Sequence, residues 1–221
     1  MTTKFVWPAK CWTVRACPMS KAANIVIPVK GLAAGKTRLK DTLSDNERYS
    51  LNSWLAKRTL RIAAEISGPN YLFVVSTDTE VETLSNEVGA IFLLQQSTGL
   101  NEGLAEAAAS LPPLPSLYLA ADLPTVTSSD IRLLLELPSI GIAPDGAETG
   151  TNALRVPTPT TLTFQFGGMS FRKHRQQATA TKIATQIVRT PGLSFDVDTK
   201  DDLIQLEGWP SSDDPRRVPG Y

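Results

Sequence analysis

The chain has 221 residues, with 22 Lys plus Arg against 22 Asp plus Glu, so its formal net charge is zero. That balance excludes a non-specific nucleic-acid binder, which needs a basic excess, and a polybasic membrane-surface protein. Hydrophobic residues make up 42%, enough for a packed core, and no apolar run reaches the roughly 20 residues of a membrane span.

The first twenty residues hold both cysteines, Cys11 and Cys17, among Trp7, Pro8, Trp12 and Pro18. No second Cys pair or His cluster accompanies them, so a zinc site is not expected. The continuous apolar stretch of about 7–15 residues that a signal peptide needs is also missing. These features predict a disordered extension over 1–23, a cytoplasmic protein with reduced thiols, and Met19 as a second candidate start.

From Asn24 strands and helices alternate. Asn24–Val29 (NIVIPV) is an apolar, β-branched run of the kind that forms a buried parallel strand. Ser44 and Glu47 have the spacing of a capping box, and Leu51, Trp54, Leu55, Leu60, Ile62 and Ile66 follow at near-helical intervals. Gly68-Pro69-Asn70 ends that helix. Tyr71–Ser76 reads as a second strand, and Thr79 with Glu82 should cap a short helix. Ala90–Gln95 is a third strand, Leu100–Leu111 a helix, Ser116–Ala121 a fourth strand and Ser128–Leu137 a helix. Gly141–Pro144 and Ala153–Val156 are short strands. A helix over Ser170–Lys182, a strand over Ile183–Arg189 and a helix over Thr199–Leu206 complete the pattern. The tail 207–221, rich in Pro, Ser and charge, should fray.

This alternation predicts one α/β domain over 24–206, with a mostly parallel sheet. In open α/β sheets, ligands sit at the carboxyl ends of the strands. After the first strand come Lys30-Gly31-Leu32-Ala33-Ala34-Gly35-Lys36-Thr37-Arg38. A Walker A loop needs four residues between its glycines, and here Gly31 and Gly35 enclose three. What remains is a small-residue loop with three cations, suited to cradle phosphate through backbone N–H groups. The alternative is an ordinary surface loop with solvated lysines.

After the fourth strand comes Asp122, which either holds a divalent cation or caps the turn before Pro124. Asp196-Val197-Asp198 forms a second acidic group, and strand alternation would put its two carboxylates on one side. Converging carboxylates on a divalent ion are the usual equipment of nucleotidyl transfer. Ser170 opens a helix whose first turn carries Arg172, Lys173, His174 and Arg175. Cations there oppose the helix dipole, so either an anion sits among them or they form a solvated basic face. A chain with one histidine has no His pair for acid–base work, and His174 is expected to pack or to contact an anion.

Five segments in this order, KGLAAGKTRL (Lys30–Leu39), Asp122-Leu123-Pro124, Gly150-Thr151-Asn152-Ala153-Leu154, Phe166-Gly167 to Ser170 with His174-Arg175, and Asp196-Val197-Asp198-Thr199, resemble the guanylyltransferases of deazaflavin coenzyme F-420 biosynthesis. The resemblance runs from about Asn24 to Leu206. It implies a three-layer α/β/α sandwich with a mostly parallel mixed sheet, like that of nucleotide-diphospho-sugar transferases. It implies GTP as a substrate, Mg2+ as cofactor, and 2-phospho-L-lactate, phosphoenolpyruvate or 3-phospho-D-glycerate as acceptor. By the same resemblance Lys30, Gly31, Gly35, Lys36, Thr37 and Arg38 hold the triphosphate, with Lys36 and Asp122 catalytic. Asp122 and Asp198 bind the metal. Thr151, Gly167 and Ser170 hold the acid, while Thr77, Asp78 and Asn101 contact guanosine. A downstream phosphotransferase would take up the product, and a homodimer is compatible with the pattern. Ala147-Glu148 departs from it by setting a carboxylate near the site of an anionic acid. Two other readings stay open: nucleotidyl transfer to a molybdopterin or sugar-phosphate acceptor, and a non-catalytic nucleotide-binding regulator. Mg2+-dependent pyrophosphate release separates an enzyme from the regulator.

Overall fold

The computed structural model of the chain describes residues 22–68, 70–206 and 209. The N-terminal extension with Cys11, Cys17 and Met19, and the tail except Trp209, lie outside the described residues. Seven strands form one sheet: β1 (Asn24–Pro28), β2 (Leu72–Ser76), β3 (Ile91–Leu94), β4 (Ser116–Leu119), β5 (Ile140–Pro144), β6 (Thr151–Val156) and β7 (Thr185–Ile187). Their order across the sheet is β3-β2-β1-β4-β6-β5-β7. β6 runs antiparallel to both of its neighbours, and the other pairings are parallel.

The helices are α1 (Asp45–Ala64), α2 (Glu80–Glu87), α3 (Leu100–Ser110), α4 (Ser128–Leu135), α5 (Ser170–Thr181), α6 (Pro191–Ser194) and α7 (Lys200–Gln205). Alternate residues of the strands feed two cores. Ile25, Ile27, Val74, Leu117 and Leu119 face α1, α2, α4 and α6 through Leu60, Val81, Ile131 and Leu193. Val26, Phe73, Val75, Tyr118 and Leu154 face α3 and α5 through Leu104, Phe171 and Ala178. The result is a three-layer α/β/α sandwich with a mixed, mostly parallel sheet, as the family resemblance implies. A third cluster joins Leu39, Leu51, Leu55 and Trp54 to Phe195, Val197, Leu203 and Trp209, so the C-terminal segment packs back on α1.

Local chemistry explains the boundaries. Ser44 and Glu47 form the expected capping box of α1. Thr79 does not cap α2: Asp78 Oδ1 takes the Glu80 N–H at 2.9 Å and leaves Thr79 without a capping bond. The last strand is only three residues long, because Thr190 caps the short helix α6 immediately after it. The segment 195–198 is irregular rather than a strand, so the two aspartates do not share a side through strand alternation.

The strand order reverses between β1 and β4, and their carboxyl ends open a crevice there. Antiparallel β6 brings its first residues to the same rim. Leu119 pairs with Ala153, and the Ala120 N–H donates to Asn152 O at 2.8 Å.

Candidate active site

The loop after β1 is pinned from three sides. Leu32 N–H donates to Asp78 Oδ2 at 3.0 Å, Asn52 Nδ2 donates to Leu32 O at 2.8 Å, and Arg48 donates to Gly35 O at 3.3 Å. A Cβ on Gly35 would stand 2.4 Å from Asn52 Nδ2, so the residue there is glycine because the α1 side chain closes on its backbone. Lys36 follows in the left-handed region, at φ 54°. That conformation is uncommon for a side chain of this size.

The Lys36 ammonium donates to Asp122 and, at 3.1 Å, to Asp198 Oδ1; Arg38 reaches Asp198 Oδ2 at 3.2 Å. The Lys36 side chain is only 6% exposed. Burial would lower its pKa, but the two carboxylates outweigh burial and hold it above the ordinary lysine value.

Asp122 stands in the loop after β4. Thr59 donates to Ala121 O at 3.1 Å and Arg58 to Val126 O at 3.1 Å, so α1 also holds this loop. Asp196 completes the acidic group. Asn152 Nδ2 donates to its Oδ1 at 3.2 Å and to Leu193 O at 3.0 Å. Burial, then the charges of Asp122 and Asp198, push the Asp196 carboxyl up to about 6, against the bond from Asn152. Aspartate oxygens are suitable donors for a hard divalent cation. Among the described residues no ready cluster of three metal-ligating side chains is assembled. The ammonium of Lys36 supplies the positive charge that bridges Asp122 and Asp198.

The facing wall is built from the start of β6 and the loop before α5. Asp145 accepts from Thr149 N at 2.8 Å and Gly150 N at 2.7 Å, which folds the turn that presents Thr151. Gly167 at φ 106° and Met169 at φ 59° turn the chain into α5, and Ser170 at its start is buried. Asn101 clamps this loop. Its amide donates to Phe166 O at 3.1 Å and accepts from Phe166 N at 2.7 Å.

One cleft of about 640 Å³ collects most of the residues singled out from the sequence: Lys30, Gly35, Lys36, Thr37, Arg38, Thr77, Asp122, Thr151, Gly167, Ser170 and Asp198. Gly31, Asp78 and Asn101 lie outside its lining, and the side chains of Asp78 and Asn101 are bonded to the backbone of the loops beside it. Asp145, Asn152, Gln95 and Thr98 also line the cleft, and their residue types alone do not mark them as site residues. Asp196 lines it too, and both the Asp-x-Asp spacing and the fifth resembling segment point to it. Of the basic turn, Arg172, Lys173 and Arg175 are exposed and do not line the cleft. Arg175 stacks on Phe171 with 5.4 Å from guanidinium to ring centre, so the solvated-face alternative describes this cluster. Glu148 pairs with Arg189 at 2.6 Å and lies outside the lining. The departure at that position therefore puts no carboxylate into the cleft.

Residues 23–208 match the family described as guanylyl transferase CofC like. The chain belongs to that family. It is 36% identical over 189 residues to the phosphoenolpyruvate guanylyltransferase of Sphaerobacter thermophilus, covering 83% of this chain and 91% of that protein. It is 31% identical over 190 residues to the 3-phospho-D-glycerate guanylyltransferase of Colwellia psychrerythraea, covering 83% and 90%. The fold is also that of solved nucleotidyltransferases. A nucleotidyl transferase from Methanothermobacter aligns with a TM-score of 0.58 at 11% identity, over 84% of this chain and 95% of that one. A 4-diphosphocytidyl-2C-methyl-D-erythritol synthase from Anaerococcus prevotii aligns with a TM-score of 0.53 at 10% identity, over 84% and 94%. The family is one of nucleotidyltransferases. No helix among the described residues is long and apolar enough to cross a membrane.

Proposed function

We propose that the protein transfers GMP from GTP to a phosphorylated three-carbon acid and releases pyrophosphate, in the cytoplasm, as a step of coenzyme F-420 biosynthesis. The observation that carries this reading is the cleft itself. A buried lysine held by two aspartates lies opposite a wall of hydroxyl and glycine residues, at the sheet's switch point. The triphosphate lies along Lys30 and 35–38. The acid lies against Thr151, Gly167 and Ser170. The base extends toward Thr77, Gln95 and Thr98 beyond β2 and β3.

An oxygen of the acceptor's phosphate attacks the α-phosphorus of GTP, and the bond to pyrophosphate breaks. A phosphomonoester has a second pKa of about 6, so the attacking oxygen is already mostly anionic at neutral pH and needs no general base. Positioning and charge neutralisation must then supply the catalysis. Mg2+ held by Asp122 and Asp198 would neutralise phosphate charge when bound. Lys36 would turn from those carboxylates to the phosphates. Loop residues 30–38 orient the triphosphate, and Thr151 and Ser170 orient the acid. The product joins two phosphates between guanosine and a small acid, so a phosphotransferase that consumes this activated diester is the expected partner. A homodimer belongs to the same reading; β3 is an edge strand of the sheet and carries the exposed Ile91 and Leu94.

The test is incubation with GTP, Mg2+ and each of 2-phospho-L-lactate, phosphoenolpyruvate and 3-phospho-D-glycerate, with pyrophosphate as readout and ATP as control. Pyrophosphate with GTP and at least one acid is expected, and none with any acid overturns the reading. Asp122→Ala should abolish turnover while the thermal transition stays cooperative. Full turnover by that variant would remove Asp122 from the chemistry.

A further inference from the structure

The chain's one histidine, His174 on α5, is fully buried and does not line the cleft. Its ring reaches the cleft through two residues that do, Thr151 and Phe166. Phe166 meets it edge-on, with 4.8 Å between ring centres. Both ring nitrogens are engaged. Nε2 lies 3.2 Å from the backbone N of Gln165, and Nδ1 lies 3.0 Å from Thr151 Oγ1.

The roles follow from what each partner can do. A backbone N–H only donates, so Nε2 must be the unprotonated, accepting nitrogen. A neutral imidazole then carries its proton on Nδ1. That proton goes to Thr151, whose hydroxyl oxygen becomes an acceptor toward the histidine. The hydroxyl's own proton cannot point back at Nδ1, and no other hydrogen bond to this hydroxyl is formed among the described residues. The remaining direction is the cleft that Thr151 lines. The opposite tautomer would reverse this. It would set two N–H groups against each other at Gln165, and would draw the Thr151 proton away from the cleft.

We propose that His174 is a positioning residue: its Nδ1–H tautomer, imposed by the Gln165 backbone, makes the Thr151 hydroxyl an obligatory donor to an anionic group of the acceptor. This rests on the reading that the Thr151 wall takes the phosphorylated acid. It assigns the lone histidine a part in substrate binding without contact to substrate and without proton transfer. Burial supports it by keeping the imidazole neutral, with its pKa lowered to about 4 by desolvation and by Lys173.

Two measurements test it. In 15N-detected imidazole spectra of the wild-type protein the single histidine needs no assignment. The expected pattern is a protonated Nδ1 and an unprotonated Nε2 at pH 7. A protonated Nε2 overturns the proposal whatever the activity. In kinetics, His174→Phe should raise the acceptor KM about tenfold, the scale of one hydrogen bond to a charged group. The GTP KM should stay within about twofold. His174→Asn, whose amide N–H takes the place of Nδ1–H, should restore most of the acceptor KM. If the phenylalanine variant does not fold, Thr151→Val in the wild-type background must raise the acceptor KM by the same factor and leave the GTP KM within about twofold. An unchanged acceptor KM, or an equal rise for both substrates, overturns the proposal. Wild-type protein that releases no pyrophosphate with any acid would instead defeat the functional reading, and the tautomer result would stand apart from it.

Discussion

Lys36 is the residue on which the site turns. Its ammonium is held by Asp122 and Asp198, so in this arrangement the positive charge between those carboxylates belongs to the protein. On the proposed function, a divalent cation would compete with this buried lysine until a polyphosphate gave the lysine another anion. Lys36→Met should bind Mn2+ in the absence of nucleotide about tenfold more tightly than wild type, measured by electron paramagnetic resonance titration. Its turnover should fall by about a hundredfold or more, as expected when one charged transition-state contact is lost. Equal metal affinity in the two proteins would show that the lysine does not guard the site.

His174 gives a second prediction at the residue scale. Burial, assisted by Lys173, holds its folded pKa at about 4. The unfolded chain takes up a proton near its ordinary value of about 6.5. The stability this group contributes is present above the unfolded value and is lost as pH falls from about 6.5 toward 4, by about 2 kcal/mol at pH 5. The Tm advantage of wild type over His174→Phe should shrink by about 4–8 °C between pH 7 and pH 5. A gap that stays constant would mean that the imidazole is not kept neutral.

At the scale of elements, α1 is the brace of the site. Arg48 and Asn52 hold the loop after β1, while Arg58 and Thr59 hold the loop after β4. One helix thus sets the spacing between Lys36 and Asp122. Asn52→Ala leaves the Leu32 carbonyl without its partner, which costs about 1–3 kcal/mol. The expected result is a Tm lower by several degrees and a raised GTP KM, with the acceptor KM little changed. A change confined to the acceptor KM would place the loop elsewhere in the reaction. None of this bracing is visible in the sequence. The apolar spacing of Leu51, Leu55 and Leu60 reveals the buried face of α1. Polar residues on its other flank look like any solvated helix surface. Asp78 and Asn101 show the same difficulty. Each comes after a strand, and its hydrogen bonds to backbone in a neighbouring loop leave no mark on the sequence. Asp196 and Asp198 were legible as a pair by their spacing, but the irregular backbone that turns both toward the cleft was not.

At the scale of the whole molecule, alternation of apolar runs and helical patterns was enough for an α/β domain with a mostly parallel sheet, because each buried strand advertises itself by composition. The antiparallel insertion of β6 was not legible, since direction leaves no mark on a short strand's residues. It decides the site nonetheless, by bringing Thr151 and Asn152 to the rim where β1 and β4 end. The C-terminal segment matters in the same way. Val197 is fully buried among Leu39, Leu51 and Leu55, next to Asp198. Val197→Ala should cost about 2 kcal/mol through lost burial and a residual cavity. It should also lower turnover by loosening Asp198, whereas a comparable Leu134→Ala in the core behind α4 should lower Tm alone. Equal kinetic effects would deny the segment this role.

Lys36 and Asp198 are 162 positions apart and still share a hydrogen bond. A nascent chain can therefore join these two side chains only after residue 198 has left the ribosome. A product cut short by even the last dozen described residues would lack the aspartate that meets the lysine. On the proposed function, GTP turnover would begin only after the segment that carries Asp198 has met the loop that carries Lys36.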